Sequence, residues 1–122
     1  MKFMLNGALT LGTEDGANVE IHELVGDDNI FLFGKESDVV IEHYNKGDYD
    51  PLEFYVNNKV IKNVLDFIVS EELIKIGNEE NLVRLYKEIL RKDWFMTLLD
   101  FEEYCIKKEE VFIEFVDRKS WA

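Results

Sequence analysis

Lys2 is the residue whose type and setting best suit chemistry, since it lies between Met1 and the apolar run Phe3-Met4-Leu5. Where such a segment packs, burial disfavours the ammonium, and the neutral amine can condense with an aldehyde cofactor. On periodicity alone, a lysine this close to a terminus is usually a frayed, solvated charge. The remaining reactive side chains lack the companions that catalysis needs. His22 and His43 are far apart and show no HExxH or Cys/His metal spacing, so both read as surface or capping histidines and no metal ligand is expected. Cys105 has no activating neighbour and reads as a buried structural thiol. The adjacent pairs Glu71-Glu72, Glu79-Glu80, Glu102-Glu103 and Glu109-Glu110 fall mostly in predicted helices. Adjacent helical residues point about 100° apart, so such pairs read as solvated faces and not as convergent acid–base couples. Neither GxGxxG nor GxxxxGK[ST] occurs.

The elements that would hold these residues follow from periodicity and punctuation. Ala8 to Thr13 reads as a strand bounded by glycines, and Glu14-Asp15-Gly16 supplies a turn. A short helix is predicted over Ala17 to Val25, stopped by Gly26. Ile30 to Phe33 is a continuous apolar run ending at Gly34, the pattern of a strand buried on both faces in a parallel sheet. Strand, helix and strand in that order define a βαβ unit over residues 1–34.

Residues 35–122 read as helical. Ser37 caps a predicted helix that turns Val39, Val40 and Tyr44 inward, and Pro51 suits the first position of the next. Asn57 and Asn58 are candidate caps for the clearest stripe, Val60, Ile61, Val64, Leu65, Ile68 and Val69. After a break at Ile76-Gly77-Asn78, Leu82, Leu85, Tyr86, Ile89 and Leu90 form another amphipathic helix. A last helix is predicted from Phe95 to Phe115 through Leu98, Leu99, Cys105 and Phe112. The fold class is α/β in a single domain, with two or three short strands and a mostly helical remainder.

The 122 residues carry 14 Lys+Arg against 26 Asp+Glu, a formal net charge of −12, which argues against nucleic acid or anionic membrane as partner. A hydrophobic share of 47% with one Pro and 7 Gly is globular. No run approaches the ~18 apolar residues of a membrane span. One cysteine fits a reducing, cytoplasmic compartment.

The stretch Met1-Lys2-Phe3-Met4-Leu5-Asn6-Gly7-Ala8-Leu9-Thr10, with Gly12-Thr13 and Asp15-Gly16-Ala17-Asn18-Val19-Glu20, closely resembles the glycogen and maltodextrin phosphorylases. The resemblance continues through Glu23, Gly26, Asn29-Ile30-Phe31 and Phe33-Gly34. It returns at Tyr49-Asp50-Pro51, Glu53, Tyr55, Asp100-Phe101-Glu102-Glu103-Tyr104 and Trp121. Glu14 departs from it, standing where the family is usually apolar.

The resemblance implies that Lys2 holds pyridoxal phosphate as a Schiff base. It further implies an enzyme that splits the terminal α-1,4 linkage of a glucan with inorganic phosphate, releasing glucose 1-phosphate, with the cofactor's 5′-phosphate in the proton transfer. The implied fold is part of the Rossmann-like carboxy-terminal domain of a two-domain (GT-B) glycosyltransferase. Because those enzymes are several-fold longer, the chain is expected to be a fragment without phosphorolytic activity of its own. The alternative is a non-catalytic interaction module or remnant, self-associating as a homo-oligomer through the strand edges of Ala8–Thr13 and Ile30–Phe33.

Overall fold

A computed structural model describes residues 2–121, the side chains of Arg118 and Ser120 excepted. Met1, the first residue of the stretch that carries the phosphorylase resemblance, lies outside the described residues. The chain forms two compact units, residues 1–45 with 100–122, and residues 46–99. The helical remainder expected after Gly34 is therefore divided between them.

In the first unit, β1 (Leu11–Gly12), α1 (Ala17–Val25) and β2 (Phe31–Leu32) follow in order, and the strands pair in parallel with Leu11 opposite Phe31 and Gly12 opposite Leu32. The predicted βαβ order is present, and α1 keeps its predicted bounds because Gly26 ends it at φ 76°, its N–H donating to the His22 carbonyl. The strands are shorter than their apolar runs. The Phe31 and Phe33 amides donate to the Thr10 and Gly12 carbonyls at 2.9 and 3.2 Å. Burial on both faces of the second run is not observed: Ile30 is buried, but Phe31 to Phe33 are only half-buried. With two strands among the described residues, each strand keeps an edge that no third strand covers.

Helix α2 (Ser37–Lys46) begins one residue earlier than a Ser37 cap would allow. Ser37 is its first residue, and the Glu36 carbonyl accepts from the Val39 and Val40 amides. Of the side chains predicted to face inward, Val40 is half-buried while Val39 and Tyr44 are exposed. The unit is completed by α7 (Thr97–Val116), from Asp100 onward, and by α8 (Arg118–Trp121), where Trp121 meets Phe115 edge-on at 5.1 Å.

The second unit is helical: α3 (Pro51–Asn57), α4 (Lys59–Ile68), α5 (Glu71–Ile76) and α6 (Glu79–Arg91). Its boundaries are written in caps. Pro51 occupies the start of α3 as predicted, with the Asp50 carboxylate accepting from the Leu52 amide at 2.9 Å. Asn58 Oδ1 accepts from Val60 and Ile61, and Asn78 Oδ1 accepts from Asn81. Ser70 caps α5, a break after α4 that periodicity does not reveal. The pairs Glu71-Glu72 and Glu79-Glu80 open α5 and α6, where the positive helix end favours carboxylates.

Helices α3, α4 and α6 pack together around Ile61 and Leu65, while Val60 and Val64 from the same predicted stripe are exposed. Ile61 is the largest fully enclosed side chain, at 2% exposure. Ile61→Val, which deletes one methyl group, is expected to cost about 1 kcal/mol in urea unfolding. A change below ~0.3 kcal/mol would show that the site is not close-packed.

Candidate functional site

Lys2 stands in the turn that leads into a single turn of 3₁₀ helix, Met4–Asn6, which Gly7 closes at φ 81°. The Gly7 amide donates to the Met4 carbonyl, the Ala8 amide to the Phe3 carbonyl, and Asn6 Nδ2 to the Lys2 carbonyl at 2.7 Å. These bonds order the backbone but do not bury it. Lys2 is exposed, as are Phe3 and Leu5, and only Met4 is half-buried. The packing around Lys2 that its apolar neighbours suggest is not observed.

Behind this turn lies a cavity of about 880 Å³ lined by Met4, Gly7 to Leu9, Val25, Asp27 to Phe31, Lys107, Glu110, Glu114 and Trp121. Lys2 is not among its walls. Its charge is dominated by Asp27, Asp28, Glu110 and Glu114, and Lys107 is ion-paired to Glu110 at 2.5 Å. A site of this sign favours cations over phosphate.

The other residues of the opening motif hold the βαβ unit together. Asn18 Nδ2 donates to the Thr13 carbonyl at 2.8 Å. A Cβ on Gly12 would stand 2.7 Å from that nitrogen, so a larger residue there would have to displace the Asn18 amide. His22 lies between two carboxylates, with Nδ1 2.6 Å from Glu14 and Nε2 2.6 Å from Asp27. Those hydrogen bonds, Asp27's first, hold its pKa above the ordinary 6.5. His43 and Cys105 are half-buried.

A second constellation ties the end of β2 to α7. Glu103 Oε2 accepts from the Gly34 amide at 2.9 Å, and its Oε1 pairs with Lys35 Nζ. Asp100 Oδ1 accepts from the Lys35 amide at 2.9 Å. Phe33 stacks edge-on against Tyr104, 5.3 Å between centroids. The Lys35 ammonium holds the Glu103 carboxyl below the usual range, and the same hydrogen bond raises Lys35. Both oxygens of Glu103 are engaged, so the pair is a fastening and not a general base.

Reading Glu102-Glu103 as a solvated pair misses this fastening. A sequence separation of 69 residues leaves no local pattern to reveal it. The available signal is the run Asp100 to Tyr104 itself, where the phosphorylase resemblance resumes. Among the described residues, no group of three or more His, Cys, Asp or Glu is placed to hold a metal ion.

The sequence matches the family model described as carbohydrate phosphorylase over residues 1–122. The chain belongs to the carbohydrate phosphorylase family. It is 55% identical over 121 residues to a maltodextrin phosphorylase of Streptococcus pneumoniae, covering 99% of this chain and 16% of that protein. It is 35% identical to a glycogen phosphorylase of Bacillus subtilis, covering 100% of this chain and 15% of that one. The muscle-form glycogen phosphorylase of Bos taurus is 34% identical, covering 100% of the chain and 14% of its own length. The chain thus spans about a sixth or less of the curated relatives it matches.

In this phosphorylase-family chain, two stretches of resemblance that are far apart in sequence meet in space. Phe33-Gly34 and Asp100 to Tyr104 are the two halves of one fastening. Such a fastening sets where the carboxyl end of β2 stands, the end of a parallel strand at which ligands of α/β sheets bind.

Proposed function

We propose that this chain is a portion of a pyridoxal-phosphate-dependent α-1,4-glucan phosphorylase, with Lys2 as the residue to which the cofactor is attached. Support comes from one observation above all. The ten-residue run from Met1 to Thr10, with its lysine, opens a chain that matches the carbohydrate phosphorylases along its whole length. The parallel β1/β2 pair around α1 is compatible with a place in a Rossmann-like GT-B domain. On this reading the parent enzyme acts on a glucan and inorganic phosphate in the cytoplasm.

Pyridoxal phosphate needs an amine for its aldehyde and cations or backbone amides for its phosphate dianion. Lys2 is exposed and can supply the first. The neighbouring cavity supplies the opposite of the second, with four carboxylates and one lysine already paired. The described residues fit the aldehyde end of the cofactor and not its phosphate end. Phosphorolysis depends on positioned charge, which one lysine does not provide.

Incubated with maltodextrin and phosphate, the 122-residue chain is therefore expected to release no glucose 1-phosphate in a coupled assay; reproducible turnover would overturn this. In the parent phosphorylase, replacing the same lysine by alanine is expected to abolish cofactor retention. Retention at the original stoichiometry would remove Lys2 from the site. Borohydride reduction followed by peptide mapping reads that attachment directly.

A further inference from the structure

Both ring nitrogens of His22 lie 2.6 Å from a carboxylate oxygen, Nδ1 from Glu14 and Nε2 from Asp27. A neutral imidazole carries one N–H and can donate to one of them only. The other nitrogen would then turn its lone pair towards an anion. Only the doubly protonated ring satisfies both contacts. The carboxylates stand at opposite edges of the ring, so they do not converge on a single point as metal ligands would.

These contacts join different parts of the chain. Glu14 belongs to the turn between β1 and α1, and Asp27 opens the 3₁₀ turn Asp27–Asn29 that follows α1. That turn forms part of the wall of the cavity beside the Met4–Asn6 segment. Glu14 and Asp27 are the charged groups from the flanking elements that meet the ring. The Asp27 side chain is 92% exposed and that of Glu14 42%, so Asp27 is already largely hydrated, gives up least on release and is the contact that opens first.

The geometry points to a proton-operated clasp: doubly protonated His22 ties the turn before α1 to the 3₁₀ turn after it, and loss of the Nε2 proton to solvent frees Asp27 and loosens that wall of the cavity. A folded-state pKa above the unfolded value means that the folded chain holds this proton more tightly. The clasp's contribution is whole below about 6.5 and is lost as pH rises through the higher folded value.

The test is a pH titration by NMR on the 122-residue chain, following the His22 ring, the Asp27 carboxyl carbon and the Asn29 amide, which donates to the Gly26 carbonyl at 3.1 Å. The ring midpoint is expected above 6.5, with the Asp27 and Asn29 resonances moving at that same midpoint. Asp27→Asn should bring the midpoint down and flatten the response of Asn29, whereas Asp28→Asn should change neither. A wild-type midpoint at or below 6.5 overturns the clasp, as do turn resonances that stay still across it. So does an Asp28→Asn variant that behaves like Asp27→Asn, since that would mark a diffuse field in place of a specific contact.

Discussion

Asp93→Ala is expected to lower the unfolding free energy by about 3–4 kcal/mol, a loss large enough to endanger folding at growth temperature. Asp93 is only 5% exposed, yet its carboxylate organises the start of α7. Its Oδ2 accepts from the Leu98 amide at 2.8 Å and from the Tyr49 hydroxyl at 2.6 Å, and its Oδ1 accepts from Thr97 Oγ1 at 2.5 Å. Bonds from a charged acceptor are worth roughly 1.5–3 kcal/mol each before the desolvation of the carboxylate is set against them. Alanine would leave the Leu98 amide without its acceptor in a buried setting. It would also put alanine in the left-handed region, since Asp93 has φ 41°, a conformation that Asp and Asn tolerate better than other residues with a Cβ.

The series around Asp93 separates these contributions. Asp93→Asn keeps the backbone preference and one acceptor oxygen, and is expected to lose about half as much as alanine. Tyr49→Phe removes a single donor and is expected to cost about 1 kcal/mol. The midpoint of urea unfolding reports each change at constant slope. If Asp93→Ala shifted it by less than ~0.5 kcal/mol, the carboxylate would not be organising this helix start.

The same corner shows where sequence reasoning stops. Local punctuation is legible because its cause is local. Asp15-Gly16 and Gly26 bound α1 at the predicted residues, Pro51 opens α3, and Asn58 caps α4. The start of α7 is not legible in this way. Its apolar period extends back to Phe95, but the left-handed residues Asp93 and Met96 delay the helix to Thr97 and leave Phe95 84% exposed. There the Asp93 carboxylate accepts from the Thr97 hydroxyl and the Leu98 amide and also from the Tyr49 hydroxyl, 44 residues away, a partner that no window of sequence contains. Burial is equally non-local: Ile61 and Val60 are neighbours with the same apolar character, and packing against α3 and α6 buries only the first.

The candidate site divides along the same line. Lys2 is singled out by its surroundings and by resemblance, while the His22 clasp and the fastening of Gly34 and Lys35 are assembled from residues whose sequence positions say nothing of one another.

Gly34→Ala is expected to be the most damaging change in the βαβ unit, at about 3–4 kcal/mol, although it adds a single methyl group. Gly34 has φ 87°, and a Cβ there would lie 2.7 Å from both Cγ and Oδ2 of Asp100 and 3.1 Å from Thr13 Cγ2. The dihedral alone accounts for about 1–2 kcal/mol. The remainder comes from displacing the Asp100 carboxyl, which accepts from the Lys35 amide. Gly7→Ala is the matched control: φ is 81°, but nothing lies within 4 Å, so only the dihedral cost of about 1 kcal/mol should appear. Asp100→Ala removes the obstruction together with the hydrogen bond. If the clash is what matters, Gly34→Ala made in that background should cost about as little as Gly7→Ala, and the two single effects should sum to more than the double mutant's. Strict additivity would mean that the glycine is required for its dihedral angle alone, and the close approach of the Asp100 carboxyl would then have no part in keeping glycine at the end of β2.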